Sequence, residues 1–275
     1  MNHAVTWGML LIVAATSYAG MAWYGRHRVR RQGHLRRLAA QRPELIRDTE
    51  IQIAAEGPER CVQEFASERL VRIENFVTPH CLAVLRKEAE AHIHEMERTF
   101  IPIHKKGATL SYEQIHALAP HCLAFYHSAE VQWWVSTMAG VTVYPTPDQD
   151  QSSLSLLCYH EAGDHINWHY DHNFYRGRHF TVLLSLVNEG RSGGLSQGTF
   201  QRRKADGERS LDTSPNVLIM FEGAKVRHRA TPVGQGERRI MLSMTYCADP
   251  EISRFKEFVR RCKDTAFFGL RALWD

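Results

Sequence analysis

Tyr159-His160-Glu161-Ala162-Gly163-Asp164-His165-Ile166-Asn167-Trp168-His169-Tyr170-Asp171 is the chemically richest run in this chain of 275 residues. It lies among short apolar runs at 141–144, 153–159, 180–187, 216–221 and 239–246, separated by turns bearing Gly, Pro and Asp. Short strands with that spacing and punctuation predict a β-sandwich or barrel. In a strand, residues two apart share a face, so His169 and Asp171 converge on one side. His228 follows 57 residues after Asp171, just behind the apolar run 217–221.

Two histidines and one carboxylate on one face of a metal leave the opposite face open, the facial-triad arrangement suited to non-haem Fe(II). The His-x-Asp pair alone says little. With 16 histidines and 10 aspartates in the chain, chance supplies about 0.6 of one. The flanks add weight. Ten residues past His228 comes Arg238, opening the next strand, where a guanidinium fork could return to the same cavity and grip a carboxylate through two bonds.

The segment 155–246 resembles the prolyl-4-hydroxylase-like branch of the Fe(II)/2-oxoglutarate-dependent dioxygenases, with a fainter likeness at 76–92. The matching pieces are Tyr159-x3-Gly163, His169-x-Asp171, Arg178-x2-Thr181, Gly193-Gly194, the run from Pro215 to Phe221, and His228-x3-Pro232-Val233-x2-Gly236-x-Arg238. The resemblance implies a double-stranded β-helix (jelly roll) as a mostly β core. It implies His169, Asp171 and His228 as iron ligands and Tyr159 as a contact of 2-oxoglutarate. For the distal carboxylate of 2-oxoglutarate the motif favours Arg238, whereas strand parity sets Ser243 and Thr245 on the face of Arg239. Implied cofactors are Fe(II), 2-oxoglutarate and O2, with ascorbate as an optional addition. A carboxylate at 171 fills the position that related halogenases leave for chloride, so hydroxylation is the implied outcome. One departure is 195–200, which lacks the acid common in the family at this turn.

Residues 4–24 carry no charge. As a helix they would extend roughly 31 Å, the thickness of a bilayer core. Trp7 and the Trp23-Tyr24 pair stand near the two ends, where amphipathic rings prefer the headgroups. Seven arginines follow by position 42 with no acid before them. A cleavable signal would carry its charges ahead of the apolar run. The expectation is a single transmembrane helix with the catalytic body on the cytoplasmic side. The formal net charge of +4 is carried by this N-terminal stretch. The first 42 residues hold +7 and the remainder −3, which removes the main support for nucleic-acid binding.

Forty-four per cent hydrophobic residues exclude a disordered or fibrous chain. Six cysteines without a C-x-x-C pair read as reduced, mostly buried thiols rather than a disulfide framework or a zinc site. Residues 70–76 predict a short strand, Thr78-Pro79 an N-cap with proline at the first helical position, and 79–98 a helix. Residues 111–138 predict further helix, with Trp133 and Trp134 in the core. The chain divides into an anchor (1–25), a basic juxtamembrane segment and tether (26–69), a helical support (70–140), the jelly-roll core (141–248) and a C-terminal helix (249–275).

Outside the ligand set, His165 reads as a turn residue, and His172 as facing away from the metal. His179 and Arg178 read as solvated charge at a strand start, and Asn173 and Tyr175 as residues at the mouth of the site. His92, His94, His104, His116 and His121 carry no site argument. The functional expectation is a membrane-anchored dioxygenase hydroxylating an aliphatic carbon of a small-molecule, lipid or peptidyl substrate, prolyl included, with succinate and CO2 as coproducts. The alternative is a non-catalytic, membrane-tethered sensor or scaffold that binds metal or 2-oxoglutarate. A zinc hydrolase with the same ligands would leave Tyr159 and the arginine without a role.

Overall fold

The computed structural model describes the backbone of residues 3–47 and 49–268, with side chains from residue 20 onward. Helix α1 (His3–Arg47) is continuous, and its C-terminal half docks on the domain. Leu35 and Leu38, three apart on one face, are buried. Arg31 pairs with Glu113 and Arg42 with Asp148, and His116 Nε2 lies 2.9 Å from the Leu38 carbonyl. Arg26, Arg28, Arg30, Arg36 and Arg37 remain exposed. The basic stretch up to Arg47 is therefore a docked helix, and the tether expected there shrinks to the residues between α1 and α2. Among the described residues no helix is long and apolar enough to cross a membrane. The apolar run 4–24 has its side chains described only from residue 20, so the expected anchor at 1–25 falls largely outside the described residues.

Helices α2 (Glu59–Glu68) and α3 (Pro79–Ala91) flank strand β1 (Leu70–Ile73). Thr78 caps α3 as expected, accepting a hydrogen bond from the Cys81 amide. The helix ends earlier than its apolar spacing suggests. After a short 3-10 turn the chain enters a hairpin, β2 (Glu97–Ile101) and β3 (Lys105–Leu110), which joins the main sheet. Ser, Pro and Ser punctuation then divides the next helical stretch into α4 (Tyr112–Leu118), α5 (Pro120–His127) and α6 (Ala129–Ala139). Trp134 is buried there, while Trp133 is half exposed rather than core.

Nine strands follow: β4 (Tyr144–Pro145), β5 (Leu154–Tyr159), β6 (His165–His169), β7 (Tyr175–Glu189), β8 (Phe200–Lys204), β9 (Gly207–Leu211), β10 (Leu218–Glu222), β11 (Arg227–Ala230) and β12 (Arg238–Ile252). Helix α7 (Arg254–Phe268) closes the described chain, and residues 269–275 of the expected C-terminal helix lie outside it. The sheet order is β1-β10-β7-β12-β5-β3-β6-β11-β8-β9, with β2 added on β3 and β4 on β12. All these pairs are antiparallel. The architecture is a mostly antiparallel β half-barrel of jelly-roll type, with helices packed on one side.

Strand parity divides this core. On β7 and β12, Phe180, Val182, Leu184, Ile240, Leu242 and Met244 pack toward the helices. Leu183 and Met241 instead join Phe200, Ile219, Phe221 and Val226 inside the roll. Both faces of these central strands are thus covered, which is why they read as nearly unbroken apolar runs. The polar residues on the inward parity, Thr181, Arg239 and Ser243, are the ones left to line a cavity.

Candidate metal centre

His169 ends β6 and His228 sits in β11, directly opposite each other in the antiparallel register. Their rings are 4.2 Å apart between centroids. Asp171, two residues beyond His169, returns to the same side. Its Oδ1 lies 3.4 Å from His169 Nε2 and 3.6 Å from His228 Nε2. Ligand atoms of all three fall within 4.8 Å of one another, and among the described residues this is the one such cluster with metal-holding geometry. Two imidazole nitrogens and a carboxylate oxygen suit a divalent first-row metal.

The surroundings fix which atoms are offered. His169 Nδ1 lies 2.7 Å from the Asn167 carbonyl and His228 Nδ1 3.0 Å from that of Val226. Each Nδ1 therefore carries the proton and each Nε2 presents its lone pair inward. Thr181 donates to Asp171 Oδ2 at 2.5 Å, and the Asp171 amide donates to the Gly223 carbonyl at 3.1 Å. A Cβ on residue 223 would sit 2.6 Å from the Asp171 Cβ, so glycine is what lets the carboxylate reach its place. Phe200 stacks on His228 at 5.4 Å, and Phe221 meets the same ring edge-on at 4.5 Å.

The charge balance follows from this packing. Burial alone would raise the Asp171 carboxyl, but His228, His169 and Thr181 outweigh it and hold the group well below the usual carboxylate range. Burial pushes His228 down to about 4, against the pull of Asp171. For His169 burial is overcome by the hydrogen bond and charge of Asp171, and the group is raised. A carboxylate held ionised between two imidazoles is a site prepared for a cation.

An inner cavity of about 110 Å³ extends from these ligands to Tyr159 and Arg239. Arg239 is 2% exposed, and its Nε has no hydrogen-bond partner. Among the described residues no carboxylate lies in ion-pair range of it. Its guanidinium carbon stands 5.7 Å from the centroid of the Tyr159 ring, whose hydroxyl burial pushes up to about 12. A buried, unmatched guanidinium in a small chamber is the chemistry that receives an anionic ligand. The three donors and this arginine together fit Fe(II) and a dicarboxylate cosubstrate.

Arg238 takes the opposite parity. Its Nη2 lies 2.6 Å from Glu90 and 2.9 Å from Glu189, outside the cavity. Arg238, which the motif favours, thus lies outside the cavity, and Arg239 lines it together with Ser243, as strand parity expects.

An outer cavity of about 400 Å³ shares Leu157, Ile166, His169, Asp171, Thr181 and Ser243 with the inner one, so the donor cluster lies at their junction. Several of its residues escaped the sequence reading. His179 is buried rather than solvated, with Nδ1 unpartnered, and burial lowers it. His104 reaches the His169 ring edge-on at 5.5 Å, delivered by a hairpin the apolar pattern did not reveal. Lys105 and Lys263 also line this cavity. Tyr175 is not a mouth residue, since its hydroxyl donates to buried Asp150 at 2.8 Å. Asn173 is spent on its own turn, accepting from the Tyr175 amide and donating to the Gly177 carbonyl. His165 serves a turn as expected, its Nδ1 2.7 Å from the Gly163 carbonyl. His172 is exposed and stacks on Phe174, though it borders the outer cavity.

The family model described as the 2OG-Fe(II) oxygenase superfamily matches residues 154–246, and one described as Halogenase D matches residues 54–184. No curated protein matches. Among solved structures, the non-haem α-ketoglutarate-dependent epimerase SnoN of nogalamycin biosynthesis is 13% identical with a TM-score of 0.58, over 73% of this chain and 86% of that one. A Trichoplax adhaerens prolyl hydroxylase, solved with a hypoxia-inducible-factor peptide, is 16% identical with a TM-score of 0.56, over 70% and 90%. A Burkholderia pseudomallei oxidoreductase of the 2OG-Fe(II) oxygenase family is 15% identical with a TM-score of 0.56, over 74% and 97%. At such identities the structural likeness speaks for the fold. The 2OG-Fe(II) oxygenase match spans the strands that deliver all three metal donors, so the chain is similar to that superfamily over the part that holds its candidate metal centre.

Proposed function

We propose that this protein is a membrane-anchored Fe(II)- and 2-oxoglutarate-dependent dioxygenase that hydroxylates an aliphatic carbon in a small-molecule, lipid or peptidyl substrate, with His169, Asp171 and His228 holding iron and Arg239 and Tyr159 holding 2-oxoglutarate. The observation that carries the reading is the buried Arg239, which has no carboxylate partner among the described residues and shares a small chamber with the three metal donors. Iron(II) held there, with 2-oxoglutarate and dioxygen, would supply the oxidation that turns C–H into C–OH, with succinate and CO2 as coproducts.

The chain's own residues do the rest. His169 and His228 present Nε2 because backbone carbonyls hold their Nδ1 protons. Thr181 steadies the second oxygen of Asp171 and leaves Oδ1 toward the imidazoles. Arg239 offers a forked donor to the distal carboxylate, and Tyr159 walls the chamber beside it. Phe200, Phe221 and Leu183 exclude water from the inner cavity, which strengthens each polar contact there.

Asp171 supports hydroxylation over halogenation, since its carboxylate takes up a position a halide would need. The uncharged run 4–24 followed by seven arginines supports an anchor with the domain on the cytoplasmic face. The docked half of α1 would then hold the domain close to the bilayer.

The test is the visible charge-transfer band of an iron–2-oxoglutarate chelate, sought anaerobically in the full-length chain in detergent. Wild type should develop the band and His169→Ala should not. Absence of the band from folded wild type would defeat the reading.

A further inference from the structure

The outer cavity holds a cation that nothing among the described residues neutralises. Lys105 sits on β3, where its inward parity is shared with Gly107 and Thr109 while Lys106 points outward to the Ala162 carbonyl. The Lys105 side chain is 4% exposed. Its Nζ donates one hydrogen bond, to Thr109 Oγ1 at 2.9 Å, and lies 5.3 Å from the centroid of the Phe267 ring. Among the described residues no Asp or Glu lies within ion-pair distance of it.

The other charges of the cavity are matched. Lys263 Nζ is 2.8 Å from Asp264 and 3.6 Å from Asp150. Arg260 is 2.7 Å from the second oxygen of Asp264. Two cations meet two acids in that cluster, and Lys105 is left over. Burial, with Lys263 nearby, pushes its ammonium down to about 8, which still leaves it charged at neutral pH. A buried ammonium with two unused donors is costly to keep unless something anionic meets it. The remaining wall is largely hydrocarbon, with Ile101, Phe174, Ala266, Phe267 and Phe268 around the space.

We propose that Lys105 binds the acidic group of the substrate, and that the outer cavity takes an otherwise apolar molecule bearing a carboxylate or a phosphate. The inference rests on the dioxygenase reading only in calling this the substrate chamber. Arg239 lies in the other chamber, so the two cations serve different anions.

The test uses the metal-free full-length chain in nanodiscs of neutral lipid, titrated calorimetrically with octanoate, octyl phosphate and octan-1-ol. At least one acid should bind ten or more times tighter than the alcohol, and the tighter of the two identifies the headgroup. Lys105→Met should bring acid and alcohol to within about twofold while retaining the iron–2-oxoglutarate band. Equal binding of acid and alcohol by wild type, or an acid preference that survives Lys105→Met, overturns the proposal. So does loss of the band in Lys105→Met, which would assign the lysine to the cosubstrate. A Lys105-dependent acid preference in a wild type that shows no band would sustain the anion site and defeat the dioxygenase reading. Because methionine removes an uncompensated buried charge at similar length, the variant should melt at or above the wild-type temperature. A fall of more than about 5 °C would make Lys105 a structural element and overturn the proposal.

Discussion

Arg239 faces Tyr159 across the antiparallel pair of β12 and β5, its guanidinium carbon 5.7 Å from the ring centroid, and both line the inner cavity. Its neighbour Arg238 points the other way, to Glu90 and Glu189. One residue of parity separates a buried cation facing the cavity from a half-buried one outside it.

Arg239→Gln should weaken 2-oxoglutarate binding about 30-fold or more, the loss expected when a desolvated charge-assisted pair is truncated. Arg238→Gln should leave it unchanged and cost less than about 1 kcal/mol of stability, because its ion pairs are partly solvated. Titrating the charge-transfer band in both variants decides between them. Loss of the band in the Arg238 variant alone would restore the motif-based assignment.

Thr181→Val removes the hydrogen bond to Asp171 Oδ2. Iron affinity should fall about tenfold to 100-fold, the usual effect of losing a group that orients a ligand. Competition against a coloured chelator measures it, and unchanged affinity would show that Thr181 does not hold the carboxylate.

Gly223→Ala sets a methyl group 2.6 Å from the Asp171 Cβ. The strain should cost about 1–3 kcal/mol and displace the carboxylate, so iron binding suffers more than folding. A denaturant curve and a metal titration on the same variant separate the two effects.

Acid should destabilise the metal-free protein. His228 is neutral when folded and held down to about 4, whereas an unfolded histidine protonates near 6.5. A depressed folded value means the unfolded chain takes up the proton first. Stability is therefore full above about 6.5 and lost as pH falls from there toward 4, by up to about 3 kcal/mol. Urea midpoints between pH 7.5 and 4.5 should show this slope, flatter in His228→Gln and flatter when iron is bound. A slope unaffected by either change would count against a buried neutral His228.

On the proposed anchoring, removing residues 1–25 should abolish membrane association and leave the docked half of α1 in place. Removing residues 1–47 should also expose the surface covered by Leu35 and Leu38, costing about 1.5–3 kcal/mol for each lost side chain. Flotation with vesicles and thermal melting of the two truncations test both statements.

What the sequence alone determined is local in character. His169 and Asp171 share a face because strand side chains alternate, and that needs only their spacing. Thr78 before Pro79 marks a helix start from two adjacent residues. The apolar runs announced most of the jelly-roll strands because β7 and β12 are covered on both faces. The β2–β3 hairpin carries no such run, and its sheet position depends on pairing with β5 and β6 far along the chain. With it were missed His104 and Lys105, whose surroundings are supplied largely by other segments. Tertiary structure alone decided that Arg239 rather than Arg238 enters the cavity, that His179 is buried and that Tyr175 binds Asp150. Each outcome turns on register or on a partner dozens of residues away. Spacing tells which side chains share a face, and only the closed sheet tells which face becomes the inside.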